Sequence, residues 1–253
     1  MTVRTTVADG IATIEIARPE KKNALTGAMY IAMAEALAAA DVDSAVCAVL
    51  ITGQPGVFTA GNDLQDFKDR PSEGSDLPVH RFIQALSNFG KPVVAAVDGV
   101  AVGIGATMLL HCDFVYITEN ARLQTPFVRL GLVPEFASSL LVQLRVGLVK
   151  ASELLLLGET LGGHNAVELG IANAVVPAAD LLAHARRVAG RFRTLPPGAV
   201  RETKALMRRG VKTMIDEAIA TESAAFAHRL HSLEAAEAID AFLAKRQPDF
   251  SKF

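Results

Sequence analysis

The run from Val93 to Asp113 constrains this chain most, because a continuously apolar, β-branched stretch passes Gly99, Gly103 and Gly105 and enters an apolar helix. Lack of alternation predicts a strand buried on both faces. Asp98 and the glycines inside the run, with Lys91 and Asp113 at its flanks, argue against a membrane span. A glycine-rich strand-to-helix junction presents unpaired backbone N–H groups and a partial positive charge, so it can hold an anionic oxygen. A second junction of this kind lies upstream, where Ala48-Val49-Leu50-Ile51 leads into Gly53, Gly56 and Ala60-Gly61-Asn62-Asp63-Leu64.

Two such turns can aim their N–H groups at one oxygen, which is how an oxyanion hole is built. The residues alone leave plainer readings open. Ala60 to Asp63 also suits a turn with Asp63 as helix cap, and Gly103 and Gly105 also suit close packing. The Gly103-Ile104-Gly105-Ala106-Thr107-Met108 segment lacks the third glycine of a dinucleotide fingerprint, and no Gly-x-Ser-x-Gly turn is present.

Around these turns the chain alternates strand and helix. Val3–Val7 and Ile11–Ile16 predict a hairpin about Ala8-Asp9-Gly10, and Thr26 predicts an N-cap for a helix to about Ala40. A strand over 46–52, a helix near 76–89, a strand over 93–98, a helix near 104–112 and a strand over 113–117 follow. This order implies a mostly parallel, buried sheet. Beyond 131 the pattern is helical, with only a short strand expected at 171–176, and Pro196-Pro197-Gly198 separates a core of residues 1–196 from three helices in 197–253. Pro71, Gly74 and Pro78, set among charges in the segment 65–80, predict a mobile loop.

At 253 residues the chain can bury one α/β core with a small appendage, and a net charge of -2 gives no overall field for nucleic acid or an anionic membrane. Any anionic ligand must be met locally. The strand-like start predicts no secretion and a cytoplasmic protein. Cys47 and Cys112, without CxxC spacing, read as reduced core residues, and the six histidines show no HExxH pattern, so no metal is expected. Ser251-Lys252-Phe253 differs in its last residue from a peroxisomal address.

Taken in order, Arg18-Pro19-Glu20-Lys21-Lys22-Asn23-Ala24-Leu25, Gly53 to Leu64, Asp98 to Asp113, Gln124 to Pro134 and Phe242 to Arg246 resemble the crotonase (enoyl-CoA hydratase/isomerase) superfamily over nearly the whole chain. The resemblance implies an α/β spiral of ββα units with a C-terminal α-helical trimerisation region, and self-association as trimer or hexamer. It implies that the Asn62 and Ile104 N–H groups form the oxyanion hole. The two glutamates of the family's hydratases map to Thr107 and Phe127, and neither can act as an acid or base. A carboxylate stands instead at Glu135, which resembles the peroxisomal-type Δ3,Δ2-enoyl-CoA isomerases, where a glutamate at this place is the sole acid/base.

The implied reaction is conversion of a 3-enoyl-CoA to the trans-2-enoyl-CoA, with coenzyme A carried in the substrate and no separate cofactor. Apolar neighbours Phe127, Leu132, Val133 and Phe136 are expected to exclude water and raise the Glu135 pKa against the helix dipole. On residues alone, ordinary helix-start chemistry is the favoured reading of Pro134-Glu135, and the resemblance reverses it. By resemblance, CoA contacts fall to Lys21, Lys22, Ala24, Ala60, Asn62, Asp63 and Leu64, with Phe226, Phe242 and Lys245 contributed by a neighbouring subunit. A solvated basic face and plain tail packing account for these residues equally well. Alternatives are a hydratase or other crotonase reaction on acyl-CoA, and a non-catalytic acyl-CoA-binding protein.

Overall fold

The computed structural model describes residues 2–65 and 77–253. Most of the expected 65–80 loop, residues 66–76, lies outside the described residues. Val3–Ala8 (β1) and Ile11–Ile16 (β2) form the antiparallel hairpin, with Asp9 and Gly10 both at positive φ (52° and 74°), as a tight hairpin turn requires. Gly27–Val42 (α1) starts after Thr26, but the Thr26 side chain makes no capping bond; its carbonyl takes the Tyr30 N–H instead.

Three strand pairs follow: Ala48–Thr52 (β3) with Val57–Thr59 (β4), Val93–Val97 (β5) with Val100–Val102 (β6), and Phe114–Ile117 (β7) with Arg122–Gln124 (β8). Pro78–Ser87 (α2) precedes the second pair, and the expected helix at 104–112 is Ile104–Thr107 (α3) tightening into a 3₁₀ turn at Met108–His111. Next come Ser138–Val146 (α4), Leu148–Leu156 (α5), Thr160–Gly162 (β9), Gly163–Glu168 (α6), Ala174–Val175 (β10) and Leu181–Gly190 (α7). The C-terminal helices are Pro197–Arg209 (α8), Lys212–Leu230 (α9) and Leu233–Leu243 (α10). β9 corrects the expectation of one short strand beyond 131; at three residues, Thr-Leu-Gly is too brief to show a period.

Each pair gives its first strand to a six-stranded sheet, ordered β1-β2-β3-β5-β7-β10, and its second to a four-stranded sheet, ordered β4-β6-β8-β9. This turn-by-turn division between two sheets is the expected spiral. β2, β3, β5, β7 and β10 run parallel, and β5 is buried along its whole length, as an unalternating apolar strand should be. Phe58, Phe82, Phe136, Met33 and Leu37 fill the main core between the sheets and helices.

In the small sheet β4, β6 and β8 also lie parallel, so their C-terminal ends share one rim. That arrangement sets the turns after residues 59, 102 and 124 side by side, where parallel sheets carry their ligand sites.

α8 is fastened back to the core at Asp113, whose carboxylate takes Lys204 Nζ at 2.6 Å, Arg208 Nη2 at 3.0 Å and the Val93 N–H at 2.8 Å. In α9, Ile215 and Ile219 are buried within the chain while Met214 stays exposed. The apolar spacing at 214–219 is thus largely satisfied without a second subunit. Cys112 is buried and Cys47 half-buried, both as free thiols.

Candidate active site

The first turn is locked to the segment before α1. Leu25 N–H donates to Gly61 C=O, Asp63 N–H to Leu25 C=O and Ala60 N–H to Lys22 C=O, which places Lys21, Lys22 and Ala24 beside Ala60–Asp63. Asn23 is fully buried and ties the same pieces, its Nδ2 donating to Val57 and Phe58 carbonyls at 3.0 Å.

Gly61, at φ +85°, sits so close to the second turn that a Cβ there would meet Val102 O at 2.6 Å; a Cβ on Gly105 would meet Thr59 Cγ2 at 2.4 Å. Only glycines let the two turns approach this closely. Among the described residues, no carbonyl takes the Asn62 or Ile104 amide hydrogen. Ile104 is the first residue of α3, where an N–H has no intrahelical partner. The geometry therefore brings together the two amides that the sequence pointed to.

Glu135 faces this junction and is 7% exposed. Its Oε1 accepts from Asn62 Nδ2 at 3.3 Å, and Asn62 Oδ1 in turn accepts from the Tyr30 hydroxyl at 2.5 Å. The Tyr30 bond orients the Asn62 amide so that its nitrogen points at the carboxyl. Burial, assisted by the neighbouring Glu222 carboxyl and opposed by the Asn62 hydrogen bond, pushes Glu135 up to about 8. A carboxyl with that affinity for protons is matched to acid–base work near neutral pH.

The structure corrects the expected surroundings of this group. Pro134-Glu135 does not start a helix: α4 begins at Ser138, after Phe136 and Ala137 in left-handed conformations (φ 64° and 56°). Two consecutive residues with side chains in that region are strained, as is common at functional turns. Of the four apolar residues expected around Glu135, Phe136 enters the main core, stacked on His111 with ring centroids 4.0 Å apart, and Phe127 and Leu132 form a second cluster with Ala235, against which Phe226 packs. The Phe127 ring instead covers the second turn, 3.8 Å from where a Gly103 Cβ would lie.

Thr107 is fully buried and its hydroxyl has no hydrogen-bond partner. It lines a small pocket of about 30 Å³ with Leu110, Leu123, Val142 and Leu154. A larger cleft of about 800 Å³ lies under α8, and its walls contain none of Asn62, Ile104 or Glu135.

Sequence reasoning missed two residues. Arg18 donates to Asp63 Oδ2 at 2.7 Å and to Ala24 C=O at 2.9 Å. Burial disfavours the Asp63 carboxylate, but the bonds from Arg18 and the Gln65 N–H, with the Arg18 and Lys21 charges, outweigh it and hold Asp63 below the usual range. Glu222 is the other, buried on α9 beside Glu135; only its place in an apolar helical face hinted at it. Of the remaining candidates, Lys21 and Lys22 are exposed, Leu64 is half-buried, and Phe226 packs within its own chain. Phe242 and Lys245 stand exposed at the end of α10. Among the described residues, no group of acidic, histidine or cysteine side chains is arranged to hold a metal ion, and no helix is long and apolar enough to cross a membrane.

The enoyl-CoA hydratase/isomerase family model matches residues 6–252. Human enoyl-CoA delta isomerase 2 is 33% identical over 97% of this chain, which spans 64% of that protein's length. The 2,3-dehydroadipyl-CoA hydratase of Escherichia coli K12 is 32% identical with 92% of each chain covered. Among solved structures, Pseudomonas aeruginosa OdaA shares the fold with a TM-score of 0.94 and 50% identity, over 96% of this chain and 98% of that one.

Proposed function

The chain belongs to the enoyl-CoA hydratase/isomerase family, and within it we propose an isomerase that converts 3-enoyl-CoA to trans-2-enoyl-CoA. The observation that carries this reading is Glu135: a buried carboxyl beside the two unpartnered amides, with Thr107 and Phe127 offering no acid on either side. The thioester oxygen accepts from the Asn62 and Ile104 N–H groups, which makes the C2 proton removable by holding the enolate charge; one such donor is worth roughly 10²- to 10³-fold in rate.

The Glu135 carboxylate takes the proton from C2, and the C–H electron pair flows into a dienolate whose charge rests on the thioester oxygen. The same carboxyl, now protonated, returns the proton at C4. The C2–C3 double bond forms and the C3–C4 double bond is consumed. One base suffices, and no water enters. Lys21, Lys22, Ala24, Ala60, Asp63 and Leu64 lie on the rim beside Asn62 and are proposed to carry the CoA moiety. Phe242 and Lys245 serve it only from a second copy, in a trimer or hexamer that light scattering would detect.

A second reading, hydration of 2-enoyl-CoA, is favoured by one observation: Glu222 supplies a second buried carboxyl near Glu135. The names of the relatives are likewise divided between isomerase and hydratase. Purified protein offered 3-enoyl-CoA and 2-enoyl-CoA separately decides between them. Fast loss of the first with slow hydration of the second supports isomerisation; the reverse overturns it.

A further inference from the structure

α4 begins after Ala137, which has no side chain able to cap it, and no local side chain does so. Its cap comes from 83 residues away: Glu222 Oε1 accepts from the Ser139 N–H at 2.8 Å and from Ser139 Oγ at 2.5 Å. Glu222 is 6% exposed. The backbone N–H groups of Ala137 and Ser138 also favour its ionised form, while the hydroxyl of Ser138 next to the cap finds no partner among the described residues. The left-handed pair Phe136-Ala137 therefore runs between two buried carboxyls, Glu135 before it and Glu222 on the helix that closes over it. A purely structural cap needs no proximity to another carboxyl; a neutral serine or asparagine would do.

We propose that Glu222 is a positioning residue for Glu135: it fixes the Glu135–Ala137 turn through the first turn of α4 and faces the base with a second carboxyl, so that the C-terminal helices set when Glu135 ionises. The inference rests on Glu135 being the base of the proposed reaction. Among the described residues, the other groups around Glu135 are neutral. On its far side are the Asn62 amide and, behind it, the Tyr30 hydroxyl. Behind Phe136 lies His111, which burial pushes down to about 4 and whose Nε2 is 2.8 Å from the Phe136 carbonyl. Ser138 and Ser139 are the nearest polar side chains of α4. Among the described residues Glu222 is thus the charge-bearing neighbour of Glu135, and burial raises its own pKa against the bonds from Ser139 and from the Ala137 and Ser138 N–H groups.

Glu222→Gln separates the two parts of this role. The amide oxygen keeps the Ser139 donors and the volume is unchanged, but the second carboxyl is gone. The acid limb of the isomerisation pH profile should move to lower pH, with KM for the 3-enoyl-CoA little altered, and Glu222→Asp should return the limb toward its original position. A midpoint does not depend on the amount of active enzyme, so the reading survives partial misfolding. The same shift should appear without substrate, in a ¹³C-carboxyl NMR titration of Glu135 assigned by comparison with Glu135→Gln. A Glu135 midpoint that stays put in Glu222→Gln overturns the proposal, whatever the activity. A midpoint that falls supports the coupling even if the protein proves inactive on 3-enoyl-CoA, in which case it is the functional reading that fails.

Discussion

Where α8 meets the core, the Asp113 carboxylate is answered by Lys204, Arg208 and the Val93 N–H, each within 3.0 Å. Where α9 meets the core, two buried carboxyls of like charge flank one turn, and the backbone of that turn is twice left-handed. Both junctions lie between the same C-terminal helices and the same core. The first is what a buried charge needs to be tolerated: opposite charges and a full set of hydrogen bonds. The second is costly to fold, and that cost is the mark of a site whose properties matter more than its stability.

The largest effect that would break this contrast is catalytic. Glu135→Gln keeps the size and the Asn62 contact but cannot take a proton, so kcat for isomerisation should fall by roughly 10²- to 10⁴-fold. Stability at neutral pH should hold or rise, because an amide replaces a group that resists ionisation. Steady-state kinetics with a thermal melt on the same sample tests both, and a destabilised but active variant would reverse the assignment.

Asp113→Ala makes the opposite forecast. It strands Lys204, already disfavoured as a cation by burial, and Arg208 without their anion. Removing one partner of such a cluster costs about 3 kcal/mol. Denaturant unfolding should show that loss, while turnover per folded molecule changes little. If turnover collapses and stability does not, the junction at Asp113 is functional after all.

A smaller effect separates the junctions by pH. Glu135 holds its proton more tightly folded, at about 8, than unfolded, near 4.5. Between those values the native state binds more protons than the unfolded chain, so stability falls as pH rises through the window. Each pH unit inside it costs about 1.4 kcal/mol. From pH 6 to 7 the parent protein should therefore lose about 1 kcal/mol relative to Glu135→Gln. Parallel unfolding curves for the two proteins would mean that Glu135 is already ionised in the native state.

The two turns were legible in the sequence because glycines at fixed places in a strand–turn–helix pattern encode backbone geometry locally, whereas Glu135 was legible only through resemblance. Gly61 and Gly105 sit where any side chain would collide with the facing turn. The spiral was legible only through resemblance: β4, β6, β8 and β9 are three residues each, too short to show alternation. Glu222 was not read at all, and Arg18 was read only as part of a motif, without a role. The contact of Glu222 with Ser139 spans 83 positions, and that of Arg18 with Asp63 spans 45. No local pattern carries such pairings.

The smallest effect is the most local. Thr59 and Thr107 are both fully buried threonines beside the two turns, and they differ in what their hydroxyls do. Thr59 Oγ1 donates to Asn23 C=O at 2.7 Å and accepts from the Gly61 N–H at 3.1 Å, so it helps hold the first turn. Thr107 Oγ1 meets nothing. Valine has the same shape without the hydroxyl, and replacing an unsatisfied buried polar group by an apolar one removes a desolvation cost instead of a bond. Thr107→Val should therefore stabilise the protein by about 1 kcal/mol, whereas Thr59→Val should destabilise it by a similar or larger amount. If the Thr107 hydroxyl has a role in the reaction, the stabilised variant will lose turnover; if it is only a remnant at a position where hydratases carry an acid, turnover will stay and stability will rise. A destabilised Thr107→Val would show that the hydroxyl is satisfied in solution, by water in the small pocket it lines.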